Sequence, residues 1–115
     1  MKSYKLFLES NQIEAILRNK FSDIDIYISE KPDFLTLSEI RIPDEKQKKG
    51  IGSKVMQELI DYADSNQKDI FLTPSDDFGV KKSLLVKFYK KFGFVPNKGS
   101  NKDFRSRETM IRNYE

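Results

Sequence analysis

Six residues, Gln47-Lys48-Lys49-Gly50-Ile51-Gly52, carry the strongest chemical signal in the chain because they fall where a strand gives way to a helix. Upstream, Phe34–Ile42 reads as a strand. Downstream, Ile51, Val55, Leu59 and Tyr62 recur at helical spacing, with Met56 and Ile60 beside them. Two glycines and a basic run at that junction allow an anion close to the backbone. It would meet the unpaired N–H groups of the first helical turn and the positive end of the helix dipole. A glycine pair at a helix start also fits a capping or tight-turn role with no ligand. Two phosphate loops are excluded by spacing. The dinucleotide fingerprint needs a third small residue where Val55 stands, and the Walker loop needs Gly-Lys-Ser/Thr where the order is Gly52-Ser53-Lys54.

The chain has no cysteine and no histidine, which removes thiol nucleophiles, imidazole bases and most zinc sites. No metal site is expected. Chemistry is left to carboxylates, tyrosines, hydroxyls, lysines, water or a cofactor that already carries the reactive group. At 115 residues, 37% of them hydrophobic and 34% charged, one domain with one core is expected. No apolar run approaches the ~18 residues of a membrane span, and Met1–Glu9 lacks the pattern of a signal peptide. A cytoplasmic protein is the default expectation. The net charge of +3 is uneven: residues 76–115 carry ten basic and five acidic side chains. Solvated lysine faces account for this, as would an acidic substrate, cofactor phosphates or nucleic acid.

The elements that must position these residues follow from periodicity. Lys2–Leu8 is expected as a strand and Asn11–Phe21 as a short helix, with Asn11 as cap and Ile13, Ile16, Leu17 and Phe21 as its apolar stripe. Asp23–Ser29 alternates as a half-buried strand, and Lys31-Pro32-Asp33 turns into the strand ending at Ile42. Pro43-Asp44-Glu45 breaks that strand before the glycine loop. A helix to about Ala63, a strand Asp69–Thr73 stopped by Pro74, and a loop Ser75–Gly79 come next. A second helix, Val80–Lys91, turns Leu84, Leu85, Phe88 and Phe92 inward and ends at Gly93. Phe94-Val95 begins a strand, Asn97–Asp103 is a polar loop, and Thr109–Arg112 closes the chain as a last strand. This order predicts an α/β (α+β) mixed sheet flanked by helices.

Gln47–Gly52 in the pattern Gln-x-x-Gly-x-Gly, followed about forty residues later by Leu85-Val-Lys-Phe-Tyr-Lys-Lys-Phe-Gly-Phe-Val95, resembles the GNAT superfamily of N-acetyltransferases. The resemblance covers Leu35–Val95 well, and Ser106–Arg112 looks like the closing strand of small bacterial and phage members. It implies a mostly antiparallel central sheet with a shortened N-terminal third. It also implies acetyl-CoA as acetyl donor and an amine-bearing acceptor, small molecule or protein. The backbone N–H groups of Lys48, Lys49, Gly50, Ile51, Gly52 and Ser53, behind Gln47, would bind pyrophosphate. Ile40, Arg41 and Ile42 would bind the pantetheine arm through their backbone, as an added strand does.

By the same resemblance Tyr89 would protonate the departing thiolate; periodicity alone leaves it a core-edge aromatic. Where many relatives carry an Asn before the tyrosine helix, this chain has Lys81-Lys82-Ser83. Ser83 would substitute as a hydrogen-bonding group or cap the helix, and Lys82 would meet cofactor phosphates. An amine with pKa ~10.4 is only about 0.04% neutral at pH 7, so its proton must be taken. Glu39, on the strand flanking the cofactor, is the candidate base; it equally fits a solvent-facing partner of Arg41, with water relaying the proton. Two rivals share the sequence: a CoA-binding interaction protein of the same fold, and a nucleic-acid binder using the basic tail. The tail's few aromatics, Phe104 and Tyr114, offer little stacking platform for the latter. A monomer or homodimer is expected.

Overall fold

The computed structural model describes residues 12–42, 50–75 and 81–115. The expected strand Lys2–Leu8, the Asn11 cap and the Pro43–Glu45 break lie outside the described residues. Within them run α1 (Gln12–Lys20), β1 (Asp25–Glu30), β2 (Phe34–Arg41), α2 (Ile51–Ser65), β3 (Asp69–Leu72), α3 (Lys82–Lys91), β4 (Val95–Pro96) and β5 (Met110–Arg112). A 3-10 turn at Gly99–Asn101 interrupts the polar loop before β5. The sheet order is β1-β2-β3-β5-β4, with β2 and β3 parallel and the other three pairs antiparallel. This is the mixed, mostly antiparallel sheet flanked by helices that the sequence predicts.

Local patterning explains the layers. β1 alternates exposed and buried, as a half-buried strand must, while all four residues of β3 are buried at the sheet's centre. The helix α1 lays Ile13 and Leu17 into the core; α2 adds Val55, Met56, Leu59, Ile60 and Ala63. Ile16 leaves the expected stripe and is 41% exposed. Residues 13 and 17 lie one above the other on the helix, whereas residue 16 sits about 100° round from 17.

Two features of β2 shape the site. Ile28 pairs with Leu37 but Tyr27 pairs with Glu39, so Ser38 is the extra residue of a β-bulge. Pairing of β2 with β3 then stops at Leu37–Leu72. Beyond that point the two parallel strands part, and the β3-facing backbone edge of Ser38–Arg41 has no ladder partner in β3.

At the other end of those strands the sheet is locked by charge. Arg105 pairs with Asp69 at 2.5 Å, Asp103 at 2.7 Å and Asp33 at 3.3 Å, and its guanidinium stacks 5.4 Å from the ring centres of both Phe34 and Phe71. Arg112, 5% exposed, binds Asp64 at 2.8 Å and donates to the Phe92 carbonyl. Two arginines of the basic tail are thus engaged by the protein's own carboxylates, Arg112 in a buried position and Arg105 at the surface.

Candidate functional site

The site begins at the N-terminus of α2. Gly50 takes a left-handed conformation (φ 75°, ψ 18°), and no side chain caps the helix. The first intrahelical bond runs from Lys54 N–H to the Gly50 carbonyl at 3.2 Å. The N–H groups of Ile51, Gly52 and Ser53 therefore have no intrahelical acceptor, and no acidic side chain occupies the first turn. Such an end is electropositive and suited to a phosphate or other anion. The two glycines serve different ends. A Cβ on Gly50 would meet nothing within 4 Å, so backbone conformation is what demands glycine there. A Cβ on Gly52 would lie 3.3 Å from Ile42 Cδ1 and 3.7 Å from Phe88 Cζ, among the groups that wall the adjoining groove.

That groove has a volume of about 240 Å³ and runs between the end of β2, the start of α2 and one face of α3. Ile40, Ile42 and Met56 form its apolar floor, with Leu84, Leu85 and Phe88 opposite. Leu84 was expected to face the core; it is 53% exposed and walls the groove. The cause is that an apolar groove and an apolar core impose the same helical periodicity. On α3 only Tyr89 is fully buried, its ring held edge-on between Phe88 (5.4 Å) and Phe94 (5.7 Å). Burial pushes the Tyr89 phenol up to about 12. It stays protonated at neutral pH and can act as a hydrogen-bond donor.

A second, smaller cavity of about 40 Å³ opens where β2 and β3 part. Leu37, Ser38 and Glu39 line it from the bulge; Leu72, Thr73 and Ser75 line it from the end of β3. Ile40 and Tyr89 wall both spaces. A molecule lying in the groove with its anionic end on α2 would bring its other end to Tyr89 and the mouth of this cavity.

The expected site residues are distributed around this arrangement. Ile40, Ile42, Gly50, Gly52, Ser53 and Tyr89 line the groove, and Glu39 lines the cavity, 3.4 Å from Arg41. Ile51 is half-buried against the core, and Arg41 is exposed. Lys82 and Ser83 are exposed at the start of α3, whose cap position is Lys81, so Ser83 does not cap the helix. Gln47, Lys48 and Lys49 lie outside the described residues. Sequence reasoning missed Met56, which its helical stripe placed only in the core, and missed the bulge at Ser38 and the place of Thr73 in the lining of the second cavity.

The groove thus joins a bare helix N-terminus to a buried tyrosine, beside strands that part at a bulge, an arrangement that suits a molecule with an anionic end and an extended arm. The family model described as "Acetyltransferase (GNAT) family" matches residues 15–94, over two-thirds of the chain, and the chain belongs to that family of N-acetyltransferases. The fold is also similar to that in the crystal structure of Ard1 from Thermoplasma volcanium, with a TM-score of 0.59. That likeness covers 89% of this chain and 78% of the other at 18% sequence identity, a likeness of fold. A search of curated proteins gives no match. Among the described residues no helix is long and apolar enough to cross a membrane.

Proposed function

We propose that this chain is an acetyl-CoA-dependent N-acetyltransferase acting on a primary amine by direct attack, within a single domain. The observation that carries the reading is the continuity of the groove from the uncapped helix start at Gly52 and Ser53 to Tyr89. The residues present fit the donor. The helix end suits pyrophosphate, the missing Cβ at Gly52 keeps the groove open, and the unladdered edge of Ser38–Arg41 suits an amide-bearing arm. When bound, the donor supplies a thioester carbonyl and a thiolate leaving group.

The chain's own part is positioning and proton management. Backbone N–H groups at α2 fix the anionic end; charge-assisted hydrogen bonds of this kind contribute roughly 1.5–3 kcal/mol each. Apolar walls at Ile40, Leu85 and Phe88 exclude water from the reacting end. Tyr89, held neutral by burial, offers its hydroxyl hydrogen to the departing sulfur, stabilising the charge that develops there and supplying its proton as the C–S bond breaks. With no cysteine in the chain, the new C–N bond forms without an acyl-enzyme on a thiol. Replacing Tyr89 by Phe removes a general acid, so the transfer rate should fall about 10²-fold with donor affinity held within about twofold. Rate is followed by thiol release and affinity by calorimetry. An unchanged rate in Tyr89→Phe removes the assigned role.

A further inference from the structure

A carboxylate and a hydroxyl, neither in the glycine loop nor in the tyrosine helix, meet at the cavity between β2 and β3. Thr73, at the end of β3, donates its hydroxyl proton to Glu108 Oε2 and accepts a hydrogen bond from the Thr109 N–H at 3.1 Å. A threonine hydroxyl has one proton and two lone pairs. Its proton and one lone pair are therefore committed, and one lone pair is left on a residue that lines the cavity beside Tyr89. Glu108 is itself held, its backbone N–H on Ser106 Oγ at 3.1 Å. Among the described residues no cation pairs with Glu108, whereas Glu39 across the cavity has Arg41 beside it.

We infer that the Thr73–Glu108 pair receives the acceptor's ammonium group, with Thr73 touching the nitrogen and Glu108 acting behind it as a positioning residue. The carboxylate polarises the hydroxyl and fixes it as an acceptor, which selects an N–H-bearing cation over a neutral or quaternary group. The proton step balances through the same pair. As the N–H bond of the ammonium breaks, a new O–H forms on Thr73, and the proton Thr73 held passes to Glu108 Oε2. The nitrogen is left neutral with its lone pair free, the carboxylate becomes a carboxylic acid, and solvent takes the proton afterwards. The inference rests on the reading of the cleft as an acetyl-transfer site and adds to it the two residues that seat the acceptor's ammonium and take its proton.

The test pairs a binding readout with a chemical one. With n-butylammonium chloride as probe, the Thr73 methyl resonance of the full chain should shift saturably. Tetramethylammonium chloride, which has no N–H, should not shift it. Thr73→Val and Glu108→Gln should weaken apparent n-butylammonium affinity at least fivefold, read for Thr73→Val from neighbouring resonances; Thr73→Ser should retain it. With acetyl-CoA as donor, both losses should reach about 10²-fold in transfer to n-butylamine, which is protonated at neutral pH. They should stay within about threefold for methoxyamine, which is already neutral there. Melting curves verify that each variant is folded, and Glu108→Gln carries the argument if Thr73→Val unfolds. Equal losses with both amines, an equal response to tetramethylammonium, or no transfer from wild type to either amine while acetyl-CoA binds would each overturn the inference. Failure to bind acetyl-CoA at all overturns the donor reading first, and is seen separately by calorimetry.

Discussion

Gly50 and Gly52 sit two residues apart, yet replacing each with alanine should have opposite consequences. Gly50 has φ 75° with open space around its Cβ direction. Alanine there adds no clash but must adopt the left-handed region, at a cost of about 1–2 kcal/mol. For a domain of this size that lowers Tm by roughly 4–8 °C. Gly52 lies inside α2 with a helical backbone, where alanine gains up to about 1 kcal/mol of propensity. Its Cβ would sit 3.3 Å from Ile42 Cδ1, the flexible end of a side chain, so a few tenths of an ångström of movement removes most of the gain. The net should be within about 0.5 kcal/mol of wild type, but the new methyl fills groove space and donor affinity should fall about tenfold. Thermal melting and calorimetric titration with acetyl-CoA on Gly50→Ala, Gly50→Asn and Gly52→Ala separate the two. Asn tolerates the left-handed region and should recover about half the loss at position 50. The reasoning is refuted if Gly52→Ala is the less stable alanine variant, or if it binds acetyl-CoA as wild type does.

Three further outcomes follow from the charges and the buried phenol. Arg105→Met should cost about 2–3 kcal/mol, because it leaves Asp69, only 9% exposed, without its cation and with the Tyr114 N–H on Oδ1 as partner, and removes the guanidinium stacked on Phe34 and Phe71. Chemical denaturation measures it, and Arg105→Lys should recover less than half, since an ammonium lacks the fork that reaches three carboxylates. The hydrogen bond from Arg112 holds the Asp64 carboxyl below its ordinary value, against the opposing effect of burial. Its stabilisation is therefore full above ~3.9 and is lost as pH falls through the lower folded value. Asp64→Asn should be about 1–2 kcal/mol less stable than wild type at pH 7, with the gap closing as pH falls below the ordinary carboxylate range; a constant gap contradicts the linkage. Because burial lifts Tyr89 to about 12, the rate–pH profile should show no alkaline limb from this phenol below about pH 11. A limb near 10 that disappears in Tyr89→Phe would count against it.

Much of this arrangement is legible in the chain because it is local. Helix α2 declares itself through Val55, Leu59 and Ile60, β1 through strict alternation, and the Gly50–Gly52 pair through its place between a strand and a helix. Tyr89 is legible only in company with Phe88, Gly93 and Phe94; period alone makes it one more core aromatic. Leu84 shows the limit of that method, since a groove wall and a core face both read as apolar. What stays hidden is non-local or depends on register. No local pattern says that Ser38 will be the extra residue of a bulge, because the bulge is a relation to Tyr27 and Ile28 on another strand. Nor does it say that Glu108 will close on Thr73, 35 positions away, or that Arg105 will gather Asp33, Asp69 and Asp103. The basic tail reads as a surface for polyanions because a sequence does not show that Arg112 is buried on Asp64 or that Arg105 is held by three carboxylates.

The central claim is that the groove from α2 to Tyr89 holds an acetyl donor. Calorimetric titration of the purified chain with acetyl-CoA tests it most directly, with Gly52→Trp and Tyr89→Phe alongside. We expect micromolar, one-to-one binding by wild type, loss of binding in Gly52→Trp with the fold retained by circular dichroism, and undiminished binding in Tyr89→Phe. A folded wild-type protein that takes up no acetyl-CoA, or one whose affinity is untouched by an indole placed between Ile42 and Phe88, would contradict the account.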